Sequence, residues 1–196
     1  MPSLHPMPAR RPVDLTLRRW LQATGSLTAH LATTFGPVDV VRVRQGGGPI
    51  DPGERRDLGR GAPAWGHVRE VMLQAGGQPR IWARTVLDAA HARRQWRGVR
   101  GLGGRPLADL LFATRRVDRT PLRAQHLAAA APLAQRIRRD WQAISGSPWP
   151  GGAIWVRSSV FRRRGAPLRV MEALAPSLRR AAPRRGRSGR VSHRLR

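Results

Sequence analysis

A chain of 196 residues, 40% of them hydrophobic, is long enough for one domain with a real core and too short for two large ones. It has no cysteine, which excludes disulfides, thiolate nucleophiles and cysteine–zinc sites, and no lysine, which excludes a Walker-type phosphate loop. Its 37 basic residues, all arginine, face 11 acidic ones, for a formal charge of +26.

Such a charge has two readings. One is a phosphate-binding surface for nucleic acid. The other is arginine placed wherever a solvated cation is tolerated. The absence of lysine favours the second, because nucleic-acid binders usually mix both residues. A positive domain also attracts small anionic substrates. No apolar run suits a signal peptide and none approaches the roughly 20 residues that span a bilayer, so the cytoplasm is the expected location.

Residues 1–12 are rich in Pro and Arg and are expected to be loose. Asp14 is placed to cap a helix carrying Leu17, Trp20 and Leu21. Ser26 is placed to cap a second, with Leu27, Leu31 and Phe35 at helical spacing and Gly36-Pro37 as its stop. Val38 to Arg44 reads as a strand, and 45–64, which includes Glu54, as a long surface loop. HVREVMLQA, GGQ and PRIWARTVL form a hairpin. On its first strand Arg69, Val71 and Leu73 share a face; on its second, Arg80, Trp82, Arg84 and Val86 do.

Residues 88–104 read as irregular, 105–112 as a short helix with Pro106 in its first turn, and 115–127 as an edge strand, since Pro121 argues against a central one. A helix over 131–144 carries Leu133, Ile137 and Trp141. A closing hairpin, AIWVRSSVF, RRRGA and PLRVMEALAP, follows; Leu168, Val170, Glu172 and Leu174 share a face of its second strand. From 177 onward there are eight arginines and no carboxylate, which predicts a disordered basic tail, 177–196, beyond a domain of 13–176. Helices followed by hairpin-linked strands and further helices indicate an α+β fold with an antiparallel sheet and helices on one face.

Few residues are placed for chemistry. Glu172 is a carboxylate on an apolar face, and needs a partner if it is to stay charged. Arg69 is the same predicament with opposite sign: arginine does not deprotonate to escape burial, so it demands an anion, either Glu172 or a ligand carboxylate. Arg84 is a weaker candidate, because sharing a face with Arg80 suggests solvent. No histidine pair has metal-ligand spacing and there is no Gly-x-Ser-x-Gly elbow, so neither metal nor cofactor is expected. An inward carboxylate and inward arginines on a sheet suit a small anionic ligand.

These segments resemble a known family. V-R-E-V-M-L, G-G-Q-P-R-I-W-A-R-T-V, G-G-R-P-L-A-D-L-L-F and G-A-P-L-R-V-M-E-A-L-A-P, in that order, look like the chorismate lyases of bacterial ubiquinone synthesis, as does S-L-T-A-H-L near the start. The resemblance spans roughly 13–176 and implies a six-stranded antiparallel sheet with helical flaps over a buried ligand. It implies a cofactor-independent monomer that splits chorismate into 4-hydroxybenzoate and pyruvate. It also implies substrate contacts at Leu27, Arg69, Leu107 and Glu172, with Glu172 and Arg84 as catalytic residues: Arg69 on the ring carboxylate, Glu172 on the hydroxyl, Arg84 on the enolpyruvyl group. The chain departs from the family's pattern at Ala83, where glycine is common, in a longer segment over 128–152, and in the basic tail. Two other readings stand beside the enzyme. One is a ligand-sensing domain of the same fold, against which residues 1–36 are too short for a winged helix. The other is an arginine-rich nucleic-acid binder, against which there is no RNP-type aromatic motif, zinc knuckle or helix-turn-helix.

Overall fold

The computed structural model describes residues 14–112 and 117–184. The chain opens with α1 (Leu15–Gln22) and α2 (Leu27–Phe35). The Asp14 carboxylate accepts from the backbone N–H groups of Thr16 and Leu17 at 2.9 and 3.1 Å, and Ser26 Oγ accepts from Ala29 N at 3.1 Å. Gly36, at φ 90°, ends α2 in a conformation that β-carbons disfavour.

The strand expected to stop at Arg44 runs on as β1 (Val38–Pro49), and 45–64 is not one loop. Gly46, Gly47 and Gly48 pair with Val68, His67 and Gly66 of β2 (Trp65–Ala75). Glycine is a poor strand former, but here it permits close approach: a β-carbon on Gly48 would lie 3.0 Å from Val68 Cγ2. The rest of that stretch holds α3 (Pro52–Leu58), with Pro in its first turn and Asp51 N donating to Glu54 Oε2 at 3.1 Å. Glu54 is therefore buried, not on a surface loop.

After β3 (Gln78–Leu87) come α4 (Ala89–Arg93) and α5 (Arg97–Arg100), where irregular chain was expected, then α6 (Leu107–Phe112). The edge strand expected over 115–127 is two pieces, β4 (Asp118–Arg119) and β5 (Arg123–Leu127), both on β6 (Ile154–Arg163); part of 115–127 lies outside the described residues. Between the pieces, Thr120 N donates to Val160 O at 2.9 Å and Thr120 Oγ1 accepts from Val160 N at 3.0 Å, while Pro121 has no N–H to offer. Helix α7 (Pro132–Ser145) precedes β6, and β7 (Ala166–Leu174) follows a two-residue turn in which Arg164 and Gly165 both have positive φ. The all-antiparallel sheet has the order β1-β2-β3-β7-β6-β4, with β5 as a seventh strand on β6.

Helices cover both faces, not one. On the first, Leu17, Trp20 and Leu31 pack on Val71, Leu73, Ile81 and Leu174, and Trp96, Val99 and Leu111 on Leu87, Leu168 and Val170. On the reverse, Ile137 and Trp141 of α7 pack on Met72, Trp82 and Met171, and Leu58 of α3 on Val68 and Val86. The reason is in β2, which is buried from Gly66 to Leu73 without alternation. Each such apolar side chain contributes about 1.5–3 kcal/mol only if both faces are covered.

The domain also continues past 176. A 3-10 turn, Pro176–Arg180, buries Leu178 fully against α1, Trp20 Nε1 donates to Ala181 O at 2.8 Å, and Arg184 N donates to Thr34 Oγ1 at 3.1 Å. Leu178 and the hydrogen bonds at Ala181 and Arg184 seat this stretch. The tail expected to be disordered is thus packed as far as 184, and its remainder, 185–196, lies outside the described residues. No helix among the described residues is long and apolar enough to cross a membrane.

Gly66 marks a tight point. A β-carbon there would overlap Leu87 O and lie 2.6 Å from Ile50 Cδ1. Because the first obstacle is backbone, Gly66→Ala is expected to lose about 1–3 kcal/mol, read as a lower urea midpoint at unchanged slope.

Candidate active site

A recess opens on the first face of the sheet. Its floor is Arg69 and Val71 from β2, Ala83 and Thr85 from β3, Val170 and Glu172 from β7, and Arg157 from β6. The α1–α2 turn, Gly25 to Thr28, and the start of α6, Pro106 to Ala108, close over it, and Arg119 of β4 stands at one edge. Leu27, Arg69, Leu107 and Glu172 all line this space; Arg84 does not.

Register explains the layout. Arg69 lies opposite Thr85, and Thr85 opposite Val170; Val71 lies opposite Ala83, and Ala83 opposite Glu172. Arg69 and Glu172 are therefore two strands and two residues apart, or about 12 Å between α-carbons from standard strand spacings. The small side chains of Ala83 and Thr85 lie between those corners.

Arg69 is 2% exposed. Its Nη2 donates to Gly103 O at 3.0 Å and Arg105 O at 2.8 Å, so the turn before α6 grips it. Its Nε is buried without a hydrogen-bond partner, and among the described residues no carboxylate pairs with it. Burial, and then the charge of Arg42, lower its pKa to about 10. It remains a cation at neutral pH, lacking a counter-ion.

Glu172 has the partner its apolar neighbours demanded. Arg157 lies opposite it on β6 and donates from Nε to Glu172 Oε2 at 2.6 Å. Arg157 Nη1 donates to Trp20 O at 2.9 Å and Ala23 O at 2.6 Å, which ties the N-terminal hairpin to the floor. At the edge, Arg119 donates from Nε to Ser159 Oγ at 3.0 Å, and its guanidinium carbon stands 5.0 Å from the Phe161 ring centroid. Burial lowers its pKa, offset in part by Glu172.

Arg84 was expected in this site and is on the reverse face. Alternation along β3 decides it: Ala83 and Thr85 face the recess, so the residue between them faces away. There Arg84 donates from Nε and Nη2 to the Glu54 carboxylate at 2.8 and 3.0 Å, from Nη1 to Glu70 Oε1, and from Nη2 to Pro49 O at 2.7 Å. Burial alone would lower its pKa, but Glu54 and Glu70 hold it above its ordinary value. Arg169 bonds Asp57 at 2.7 Å beside this cluster, and Arg136 bonds Glu70 at 3.1 Å. Sequence reasoning missed Arg157 and Arg119. Arg157 was findable, as the cation in a closing hairpin whose other strand carries Glu172. Arg119 had no signal, because a two-residue strand has no periodicity.

A family described as chorismate lyase matches residues 10–179. The chain is 39% identical over 158 residues to a probable chorismate pyruvate-lyase of Albidiferax ferrireducens, covering 81% of this chain and 80% of that one. It is 38% identical over 178 residues to a probable chorismate pyruvate-lyase of Cupriavidus metallidurans, covering 90% of this chain and 81% of that one. Among solved structures, the effector domain of PhnF from Mycobacterium smegmatis has a TM-score of 0.45 and 16% identity over 78% of this chain and 90% of its own.

Proposed function

Because the chain belongs to the chorismate lyase family, we propose that it removes pyruvate from chorismate and releases 4-hydroxybenzoate. The observation that carries this reading is Arg69, a buried cation with an unpartnered Nε in a recess whose far corner is a carboxylate. A ligand with a carboxylate at one end of a ring and a hydroxyl at the other satisfies both corners. Arg69 Nε donates to the ring carboxylate, a charge-assisted bond in a dry site. Backbone at Leu107 borders the same end, and Leu27 covers the ring. Glu172, with Oε2 held by Arg157, accepts from the hydroxyl.

The chemistry balances without a further reactant. The proton on the hydroxyl-bearing ring carbon leaves, and its bonding pair forms the new ring double bond. The ether C–O bond to the neighbouring carbon breaks, with its pair going to the enolpyruvyl oxygen. The enolpyruvate takes up a proton and becomes pyruvate. Aromatisation drives the step, so no cofactor is assigned. Glu172 lies at the hydroxyl end, where the proton departs, and is placed for acid or base work there. We place the reaction in the cytoplasm, at the entry to ubiquinone synthesis, and assign it to a monomer.

Purified protein incubated with chorismate should yield 4-hydroxybenzoate and pyruvate in equal amounts. Binding of 4-hydroxybenzoate without turnover would favour a ligand sensor of the same fold, and the absence of both turnover and binding would discard the reading.

The floor offers a second check. Ala83 is half-buried between Val71 and Glu172, where the ring is placed. Ala83→Leu should fill that space and weaken 4-hydroxybenzoate binding by about tenfold or more, the scale of an overpacking cost. Titration calorimetry measures it, and unchanged affinity would place the ring elsewhere.

A further inference from the structure

The lining of the recess is not electrically balanced. It carries three arginines, Arg69, Arg119 and Arg157, and one carboxylate, Glu172, so its formal charge is +2. Arg157 is already committed, to Glu172 and to the carbonyls of Trp20 and Ala23. Arg69 serves the ring carboxylate in the reading above. Arg119 is left. Among the described residues it forms no ion pair with a carboxylate, and its Nη2 has no hydrogen-bond partner.

Arg119 is nevertheless oriented. Ser159 Oγ holds Nε at 3.0 Å, and Phe161 lies within cation–π range at 5.0 Å. Its Nη1 reaches Gly25 O at 3.4 Å, so it stands where the edge strand meets the α1–α2 turn that closes the recess. This is a fixed, forked donor, with N–H groups to spare, at the rim beside Glu172.

We propose that Arg119 is a further catalytic residue, which receives the enolpyruvyl carboxylate and the ether oxygen of chorismate; this rests on the lyase reading above. Chorismate carries two negative charges and matches the +2 lining; 4-hydroxybenzoate carries one carboxylate and leaves one cation unmatched. Arg119 therefore recognises the part of the substrate that departs. As the ether bond breaks, negative charge gathers on the enolpyruvyl oxygen, and a donor already aimed at it stabilises the transition state more than the ground state. The same contact holds the pyruvate fragment at the rim.

The test compares chorismate turnover with 4-hydroxybenzoate binding in the full chain carrying Arg119→Met or Arg119→Lys. Arg119→Met should lower kcat by about 10²–10³-fold, the cost of losing one oxyanion donor. It should raise KM for chorismate and leave the Kd for 4-hydroxybenzoate within about threefold, because the product lacks the enolpyruvyl group. Guanidinium ion in the buffer should restore part of the lost rate. Arg119→Lys keeps the charge without the fork and should hold KM near wild type while kcat falls about tenfold. Near-wild-type kcat and KM in Arg119→Met would overturn the assignment. A fall in 4-hydroxybenzoate affinity parallel to the fall in turnover would also overturn it, by showing a structural role. Should Arg119→Met fail to fold, the KM-against-kcat split in Arg119→Lys decides alone. Wild-type protein inert toward chorismate would instead sink the lyase reading itself, so the two failures are distinct.

Discussion

Replacing Arg69 with methionine should abolish 4-hydroxybenzoate binding and lower chorismate turnover by at least about 10²-fold, while leaving the apo protein as stable as wild type or more so. The two halves share one cause. A hydrogen bond between charged groups is worth about 1.5–3 kcal/mol, and more in a dry site where the alternative is an unpaired anion. Without ligand, the same guanidinium is a buried cation held by two carbonyls, with its Nε unsatisfied. Burying such a charge opposes folding, and an apolar side chain of similar length removes the penalty. Thermal melts with and without ligand separate the effects. Wild type should gain about 2.7 kcal/mol at a ligand concentration 100 times Kd, and Arg69→Met should gain nothing. A variant that still binds and turns over would end the assignment of Arg69.

Arg84→Met should do the reverse. It leaves Glu54 and Glu70 buried without their central cation, and breaking a buried pair from one side costs about 3–5 kcal/mol. For a chain of this size that is a fall in Tm of roughly 6–20 °C. The molecules that stay folded should retain wild-type kcat below the new transition, because Arg84 does not reach the recess. Changing Glu54 and Glu70 to glutamine together with Arg84→Met should recover part of the loss, since Arg169 then keeps only Asp57 as its counter-ion and Arg136 loses Glu70. A stable but inactive Arg84→Met would restore the catalytic role that the family resemblance had suggested. Arg69 and Arg84, two arginines buried in adjacent strands, thus sit at opposite extremes: Arg69 has no carboxylate partner among the described residues, while Arg84 is saturated by Glu54 and Glu70 and joins α3 to two strands.

How much of this was legible in the chain depends on the range of the interaction. Local periodicity is a property of a single segment, and it carried far. The caps at Asp14 and Ser26, the hairpins, and the sharing of faces by Arg69 with Val71 and by Glu172 with Val170 all follow from steric preferences within a few residues. So did the demand for an anion near Arg69, which is a statement about burying a guanidinium. What a single segment does not contain is the register between segments and the layer that covers each face. Alternation set Arg84 apart from Ala83, but only the pairing of Ala83 with Glu172 made Ala83's face the recess and Arg84's the reverse. The partner of Arg84 is Glu54, thirty residues away in a helix hidden among glycines and prolines, and Arg157 reaches Trp20 across 137 positions. Arg119 sits in a strand too short to have a period, and Leu178 packs on α1 from within a run of arginines. The residue types and local geometry of the chain placed Arg69 and Glu172 on inward faces, but not the buried Glu54, Arg84 and Arg157. Tertiary structure alone decided which charges were neutralised and which were left without a counter-ion, because charges pair through distance in space and local patterns do not encode it.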